Sequence, residues 1–215
     1  MLPAAALASF ADSGVPTYYE GYLGPCCTYF VSANMSTPDP AFNAGQIWAH
    51  VFVGGAQTYS TPHAWSEVGV QKAADGGRYA HWNVVNSLGS QVSFEYHGVN
   101  LAPGSYHKVQ TYQTGQGSTY WTATVFNIQS WGGVNTGTTG YVNAFSGEES
   151  SCSGCAMGYS DIQENLTLNG GAYYVPWCYS NPGNQWLSTN NFTNPQPTKS
   201  ACYGTDHNSW NVLYH

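Results

Sequence analysis

Eight short segments of the chain alternate apolar and polar residues with a period of two, and this pattern most constrains the fold. Glycine-rich or Pro-Gly sequences separate many of them, and such sequences are typical of tight turns. Short, half-buried strands joined by turns predict an all-β protein, an antiparallel β-sandwich of the jelly-roll or concanavalin-like type. The predicted strands are Ile47–Val53, Ala64–Gln71, Tyr79–Val85, Gln91–Tyr96, Tyr106–Tyr112, Tyr120–Ile128, Gly140–Ser146 and Ile162–Leu168.

The length predicts one domain, because sandwiches of about 215 residues commonly form a single unit. We expect the sandwich to occupy residues 46–175. The flanking segments 1–45 and 176–215 lack the alternation and contain several prolines, so both are expected to be irregular.

The six cysteines are an even set, which favours disulfide bonds that staple both flanking segments. They are Cys26, Cys27, Cys152, Cys155, Cys178 and Cys202. A zinc site built on Cys152 and Cys155 is disfavoured, because structural zinc sites usually have a second matched pair of ligands. The cysteines, together with an N-terminus that resembles the small-residue end of a secretion signal, predict a secreted protein. No segment reaches the ~20 apolar residues that cross a bilayer.

Charged residues are scarce, at 7% of the chain, and only four residues are Lys or Arg within a net charge of −7. Four basic side chains are too few to neutralise the phosphates of a nucleic acid or the charge of an anionic membrane. Neither is therefore expected as a partner. The chain also gains little positive charge when its carboxylates are protonated, which suits work in acid. We expect a monomer.

Glu67 is an acid inside a predicted strand. In the run from Trp65 to Gln71 the odd positions share one face, and Val68 and Val70 share the other. Glu67 is therefore predicted to point away from the valine-packed side. A single glutamate in a strand is most often solvated, so its importance depends on a second acid.

Glu148 is the second acid, and its phase matches that of small residues at 142, 144 and 146, which leave room for a cleft. Glu149 takes the opposite face if the strand is regular. A bulge at Gly147 would exchange the faces on which the two glutamates lie, so Glu149 stays open as the alternative second acid.

The order of several motifs resembles that of the glutamic peptidases over about residues 46–170. The motifs are Glu67-Val68-Gly69-Val70, Tyr79-Ala80-His81-Trp82, the strands 104–112 and 121–127, Phe145–Glu148 and Ser160–Leu168. Eqolisins pair a glutamine with a glutamate. Glutamate at the first position is instead similar to the two-glutamate arrangement of neprosin-type enzymes.

This resemblance implies a secreted, acid-active endopeptidase that acts on polypeptides without a metal or organic cofactor. It assigns Glu148 as the general base and Glu67 as the acid or oxyanion partner. Two carboxyls that face one water share a proton, because both cannot ionise cheaply. The neprosin likeness further suggests cleavage near proline.

Four aromatic residues are candidates for the substrate groove: Trp48, Trp65, Tyr79 and Trp82. Aromatic residues in strands more often belong to the core. Glu95 and His97, with His81 or His107, could be read as metal ligands, but a solvated face is the stronger interpretation.

Two other functions fit the same residues. Retaining glycosidases on jelly rolls also use two glutamates, with Trp and Tyr stacked on sugar rings. A non-catalytic carbohydrate-binding sandwich needs only aromatic faces. The motif order favours the peptidase over both.

Overall fold

Fourteen β-strands and no helix make up the part of the chain that the computed structural model describes, which comprises residues 18–56, 64–115, 117–137, 142–151, 160–169, 174–176, 185–188 and 210–212. The strands are β1 (Tyr18–Thr28), β2 (Phe30–Ser36), β3 (Trp48–Ala56), β4 (Trp65–Ala73), β5 (Arg78–Val85), β6 (Gln91–Tyr96), β7 (Tyr106–Gln113), β8 (Tyr120–Val125), β9 (Gln129–Asn135), β10 (Val142–Ser150), β11 (Ser160–Asn169), β12 (Tyr174–Pro176), β13 (Gln185–Ser188) and β14 (Trp210–Val212).

The strands form two antiparallel sheets of seven strands each. The first sheet has the order β13-β1-β10-β3-β4-β5-β6, and the second has the order β12-β11-β2-β7-β8-β9, with β14 paired to β11. The prediction of an all-β antiparallel sandwich is confirmed. Within the described residues, no helix is long and apolar enough to span a membrane.

The core lies between the two sheets and is built largely from valines and tryptophans. The first sheet contributes one face of β3, β4 and β5, and the second contributes one face of β2, β7 and β8. Each buried valine contributes about 1.5–3 kcal/mol relative to an exposed one. Members of this core include Val31, Val51, Val53, Val68, Val70, Trp82, Val84, Val109, Trp121 and Val125.

A chain of buried hydrogen bonds joins the two sheets directly beneath β4. The indole N–H of Trp82 donates to Ser66 Oγ at 2.9 Å, and Ser66 lies 2.6 Å from Thr111 Oγ1 in β7. Thr111 Oγ1 in turn donates to the carbonyl of Thr122 at 3.1 Å. Because each hydroxyl then has a donor and an acceptor, the polar groups are satisfied inside the core and hold β4 in place.

The prediction that residues 1–45 are irregular is wrong over 18–36, where β1 and β2 form. The sequence did not predict β1 because it contains Pro25. The pairing of β1 with β10 shifts register between Leu23 and Cys26, on either side of this proline. Such an irregularity accommodates a proline in a strand and breaks the alternation that the sequence would otherwise show.

The prediction of an irregular C-terminal segment is likewise wrong at 185–188 and 210–212, where β13 and β14 pair with β1 and β11. These strands have four and three residues, too few to show periodicity. The cysteine side chains lie outside the described residues, so the disulfide bonds stay a prediction.

Gly132 and Gly133, a pair typical of a turn, lie within β9, where Gly133 has a φ of 77° beside a register shift. One difference in strand extent bears on the site. The strand predicted to end at Ser146 continues as β10 to Ser150. Both neighbouring glutamates, Glu148 and Glu149, therefore belong to a paired strand.

Candidate active site

A buried polar cavity lies on the first sheet, on the face turned away from the valine core. Strand alternation creates it, because residues between the core valines of β3, β4 and β5 all point to this opposite face. β10 joins the cavity through its pairing with β3, which runs without a register shift from residue 143 to residue 150. The lining residues are Trp48, His50, Glu67, Gln71, His81, Asn83 and Glu149.

Two carboxyl groups meet in this cavity. Glu67 is 0% exposed and Glu149 is 3% exposed. One carboxylate oxygen of each residue and one ring nitrogen of His50 all lie within 4.8 Å of one another. The cavity measures about 210 Å³ including adjoining solvent, and it has room for about one water molecule. A single water between the two carboxyls would be within reach of both.

Asn83 fixes the orientation of Glu67. The amide oxygen of Asn83 accepts hydrogen bonds from Ser93 Oγ at 2.9 Å and from Gln91 Nε2 at 3.2 Å. Its NH₂ group is thereby turned toward β4, where Nδ2 donates to Glu67 Oε1 at 3.1 Å. The edge strand β6 thus positions a catalytic candidate two strands away.

A pair of buried histidines forms another wall of the cavity. His81 Nδ1 lies 3.4 Å from His50 Nε2, and the two rings meet edge to face with centroids 4.5 Å apart. Burial lowers the pKa of His81 to about 4. Burial, and secondarily the neighbouring His81, also lower the pKa of His50 well below 6.5. Both imidazoles are therefore neutral near pH 7.

Gly69 has a structural reason to follow Glu67 in the motif. A Cβ at this position would lie 1.7 Å from the carbonyl oxygen of Val51 and 2.8 Å from the Cα of Phe52. These are backbone atoms of β3 and cannot rotate away. The glycine therefore permits the close approach of β3 and β4 that brings His50 next to Glu67.

The prediction for Glu67 is confirmed in its orientation, because the side chain points away from Val68 and Val70. For the second glutamate, the register pairs Glu148 with Val51 and Glu149 with His50. The side chain of Glu148 lies outside what the structure describes, and its catalytic role stays a prediction. The acid that the structure places beside Glu67 is Glu149, the alternative that the sequence left open.

The four predicted groove aromatics have different surroundings. Trp48 lines the cavity at 7% exposure, and its indole N–H is buried with no hydrogen-bond partner among the described residues. Trp65 shares the strand face of Glu67 and is buried outside the cavity lining. Tyr79 donates to Asp75 at 2.8 Å, at the end of β5. Trp82 lies in the core, stacked on Phe94.

Sequence reasoning missed His50, Gln71 and Asn83 as cavity residues. Alternation places His50 in phase with Trp48, and Gln71 in phase with Glu67, so the pattern contained a signal for both. The contact between His50 and His81 depends on the register across three strands, which one sequence does not specify. His97 and Glu95 form an exposed pair at 2.6 Å, as expected for a solvated face.

The chain has the β-sandwich fold of glutamic peptidases. It is similar to the crystal structure of scytalido-glutamic peptidase with a peptide-based transition-state analogue, with 14% identity, a TM-score of 0.61 and coverage of 94% of this chain and 100% of that chain. The same values relate it to SCP-B, a member of the eqolisin family in complex with the tripeptide Ala-Ile-His. No protein-family model and no curated protein matches the sequence. At this identity the likeness establishes the fold.

Proposed function

We propose that the protein is a peptidase in which Glu67 and Glu149 activate a water molecule to hydrolyse peptide bonds. The observation that carries this proposal is the meeting of two buried carboxyls around a cavity with room for about one water. The fold shared with glutamic peptidases supports it. Glu149 takes the place in the dyad that the sequence assigned to Glu148.

The reaction needs one proton on the pair. Two carboxyls this close are more stable with one shared proton than with both groups ionised, because two negative charges repel each other in a buried site. Glu149, ionised, removes a proton from the water as its oxygen attacks the peptide carbonyl. Glu67, protonated, donates a hydrogen bond to the oxyanion and then its proton to the departing amine. The proton then passes from Glu149 to Glu67, which restores the starting state.

The roles rest on the resemblance to the glutamic peptidases. The hydrogen bond that Asn83 donates to Glu67 Oε1 is compatible with either protonation state of Glu67. A residue that stabilises the oxyanion by donating a hydrogen bond can also be an amide, as in the glutamine of eqolisins. The base must be a carboxylate, and Glu149 is assigned that role.

The indole of Trp48 is suited to bind the substrate. Its buried N–H would gain an acceptor if a peptide carbonyl entered the cavity, and an unmade hydrogen bond of this kind costs about 1–3 kcal/mol. Binding of substrate would therefore satisfy a donor that the described residues leave unmatched.

The proposal extends to conditions that the sequence suggested. The protein would be secreted, disulfide-bonded and monomeric, and active in acid. Cleavage near proline rests on the likeness to neprosin-type enzymes.

A glycosidase is less favoured, because three of the four candidate stacking rings are not displayed in an open cleft. Trp48, Trp65 and Trp82 are all at least nine-tenths buried. Sugar rings stack on exposed aromatic faces, whereas a peptide carbonyl needs hydrogen-bond donors.

Incubation with a denatured protein and, separately, with xylan and a β-glucan tests the substrate class. Between pH 3 and 7 with EDTA present, we expect new peptide termini, with one ¹⁸O in each new carboxyl terminus and none in the new amino terminus when the reaction is run in H₂¹⁸O. Release of reducing sugar while polypeptides stay intact would reject the proposal in favour of the glycosidase.

A further inference from the structure

His50, Glu67 and Glu149 form a donor set larger than a carboxyl dyad requires. One imidazole nitrogen and two carboxylate oxygens, from β3, β4 and β10, lie within 4.8 Å of one another. All three side chains are at least 97% buried. Imidazole and carboxylate together are typical ligands of Zn²⁺ and neighbouring transition metals. Three protein ligands is the number found in zinc sites that keep a fourth position for water.

Each ligand candidate also has a supporting contact. His81 Nδ1 lies 3.4 Å from His50 Nε2 and orients the His50 ring. Asn83, held by β6, donates to Glu67 at 3.1 Å. Metal-binding imidazoles and carboxylates are commonly held by such outer hydrogen bonds, which contribute about 10- to 100-fold to affinity.

The charge of the cavity favours a cation. Two carboxyl side chains line it, and no Lys or Arg is found among its described lining residues. A dication would balance this charge inside a buried site. Zinc-bound oxygen and nitrogen atoms lie about 3.4 Å apart in a tetrahedron with bonds of about 2.0–2.2 Å.

We propose that this cavity binds one Zn²⁺ ion, or a similar divalent transition metal, through His50, Glu67 and Glu149. Ca²⁺ and Mg²⁺ are disfavoured, because they take six or more ligands, nearly all of them oxygen. An ion here occupies both carboxyls of the dyad, so it inhibits peptide hydrolysis. The binding site stands independently of the proposed function, whereas the inhibition rests on it.

Metal titration of the EDTA-treated, dialysed full chain tests this inference. ZnCl₂ is added at pH 7 under non-reducing conditions and followed by calorimetry, and CoCl₂ is followed by visible absorption. Wild type and His50→Gln are compared with a matched control, His97→Gln, whose histidine lies 2.6 Å from Glu95 on the surface. We expect one ion per chain in wild type and His97→Gln, and affinity about tenfold or more weaker in His50→Gln.

Equal affinity in wild type and His50→Gln would overturn the site, as would loss of binding in His97→Gln. Strong cobalt–thiolate absorption would assign the ion to cysteines and overturn it as well. If circular dichroism shows that His50→Gln is unfolded, Glu149→Gln replaces it with the same expected loss. Zinc binding in a wild-type protein that cleaves no peptide would sustain the metal site and reject the proposed function.

Discussion

Replacing Asn83 with leucine tests whether β6 stabilises the acid in the cavity. Leucine has a similar size, so it fills the space of the amide and keeps water from replacing it. The change removes the donor at 3.1 Å from Glu67 Oε1. Glu67 is fully buried and cannot recover that hydrogen bond from solvent.

The expected cost follows from the kind of hydrogen bond lost. Removing the donor to a buried acceptor costs about 1–3 kcal/mol, which is roughly a 5- to 150-fold change in the folding equilibrium. Ser93→Ala is the control, because it removes the 2.9 Å bond to the other end of Asn83 at an exposed position. Water can replace that hydroxyl, so we expect a cost of about 0.5–1.5 kcal/mol or less.

Urea unfolding at pH 7, followed by tryptophan fluorescence, measures both variants. The midpoint should fall further for Asn83→Leu than for Ser93→Ala, with the slope unchanged because the surface exposed on unfolding is the same. If Asn83→Leu is no less stable than Ser93→Ala, the amide does not support the buried carboxyl group of Glu67, and the reasoning is refuted.

Three further predictions concern the surroundings of the dyad. Gly69→Ala should cost about 3 kcal/mol or more in urea unfolding, because its Cβ would meet the Val51 carbonyl at 1.7 Å, whereas Gly115→Ala has open space and should cost little. Trp48→Phe keeps a ring but loses the N–H, so KM for a peptide should rise several-fold. The pKa of His81 is about 4 in the folded protein and about 6.5 in the unfolded chain, so the unfolded chain binds the proton first as the pH falls. The free energy of unfolding should therefore drop by about 3 kcal/mol between about pH 6.5 and pH 4 and then level off. His81→Gln should flatten this pH dependence in urea unfolding.

Alternation alone predicted the sandwich and the direction of Glu67, because β4 packs one face on a continuous valine core. It did not predict β1, because Pro25 lies in a stretch where the pairing shifts register. It also did not predict β13 and β14, which are too short for a period to appear.

The second glutamate shows why phase is harder to read near a strand end. The predicted strand stopped at Ser146, so Glu148 and Glu149 lay beyond the pattern that would have fixed their faces. The sequence of β10 has small residues in both phases of the alternation, such as Ala144 and Gly147, so size did not distinguish the cavity side. The pairing of Glu149 with His50 depends on the register between β10 and β3, which are far apart in sequence.

Proteolysis by Glu149→Gln and Glu148→Gln tests the central claim most directly, since the two changes are chemically identical and adjacent in one strand. Initial rates on a denatured protein are measured with EDTA between pH 4 and 6, with folding checked by circular dichroism. We predict that Glu149→Gln loses about 10²- to 10⁴-fold in rate, the usual contribution of a general base, and that Glu148→Gln stays within a few-fold of wild type. The reverse result, with Glu148→Gln inactive and Glu149→Gln active, would contradict the account.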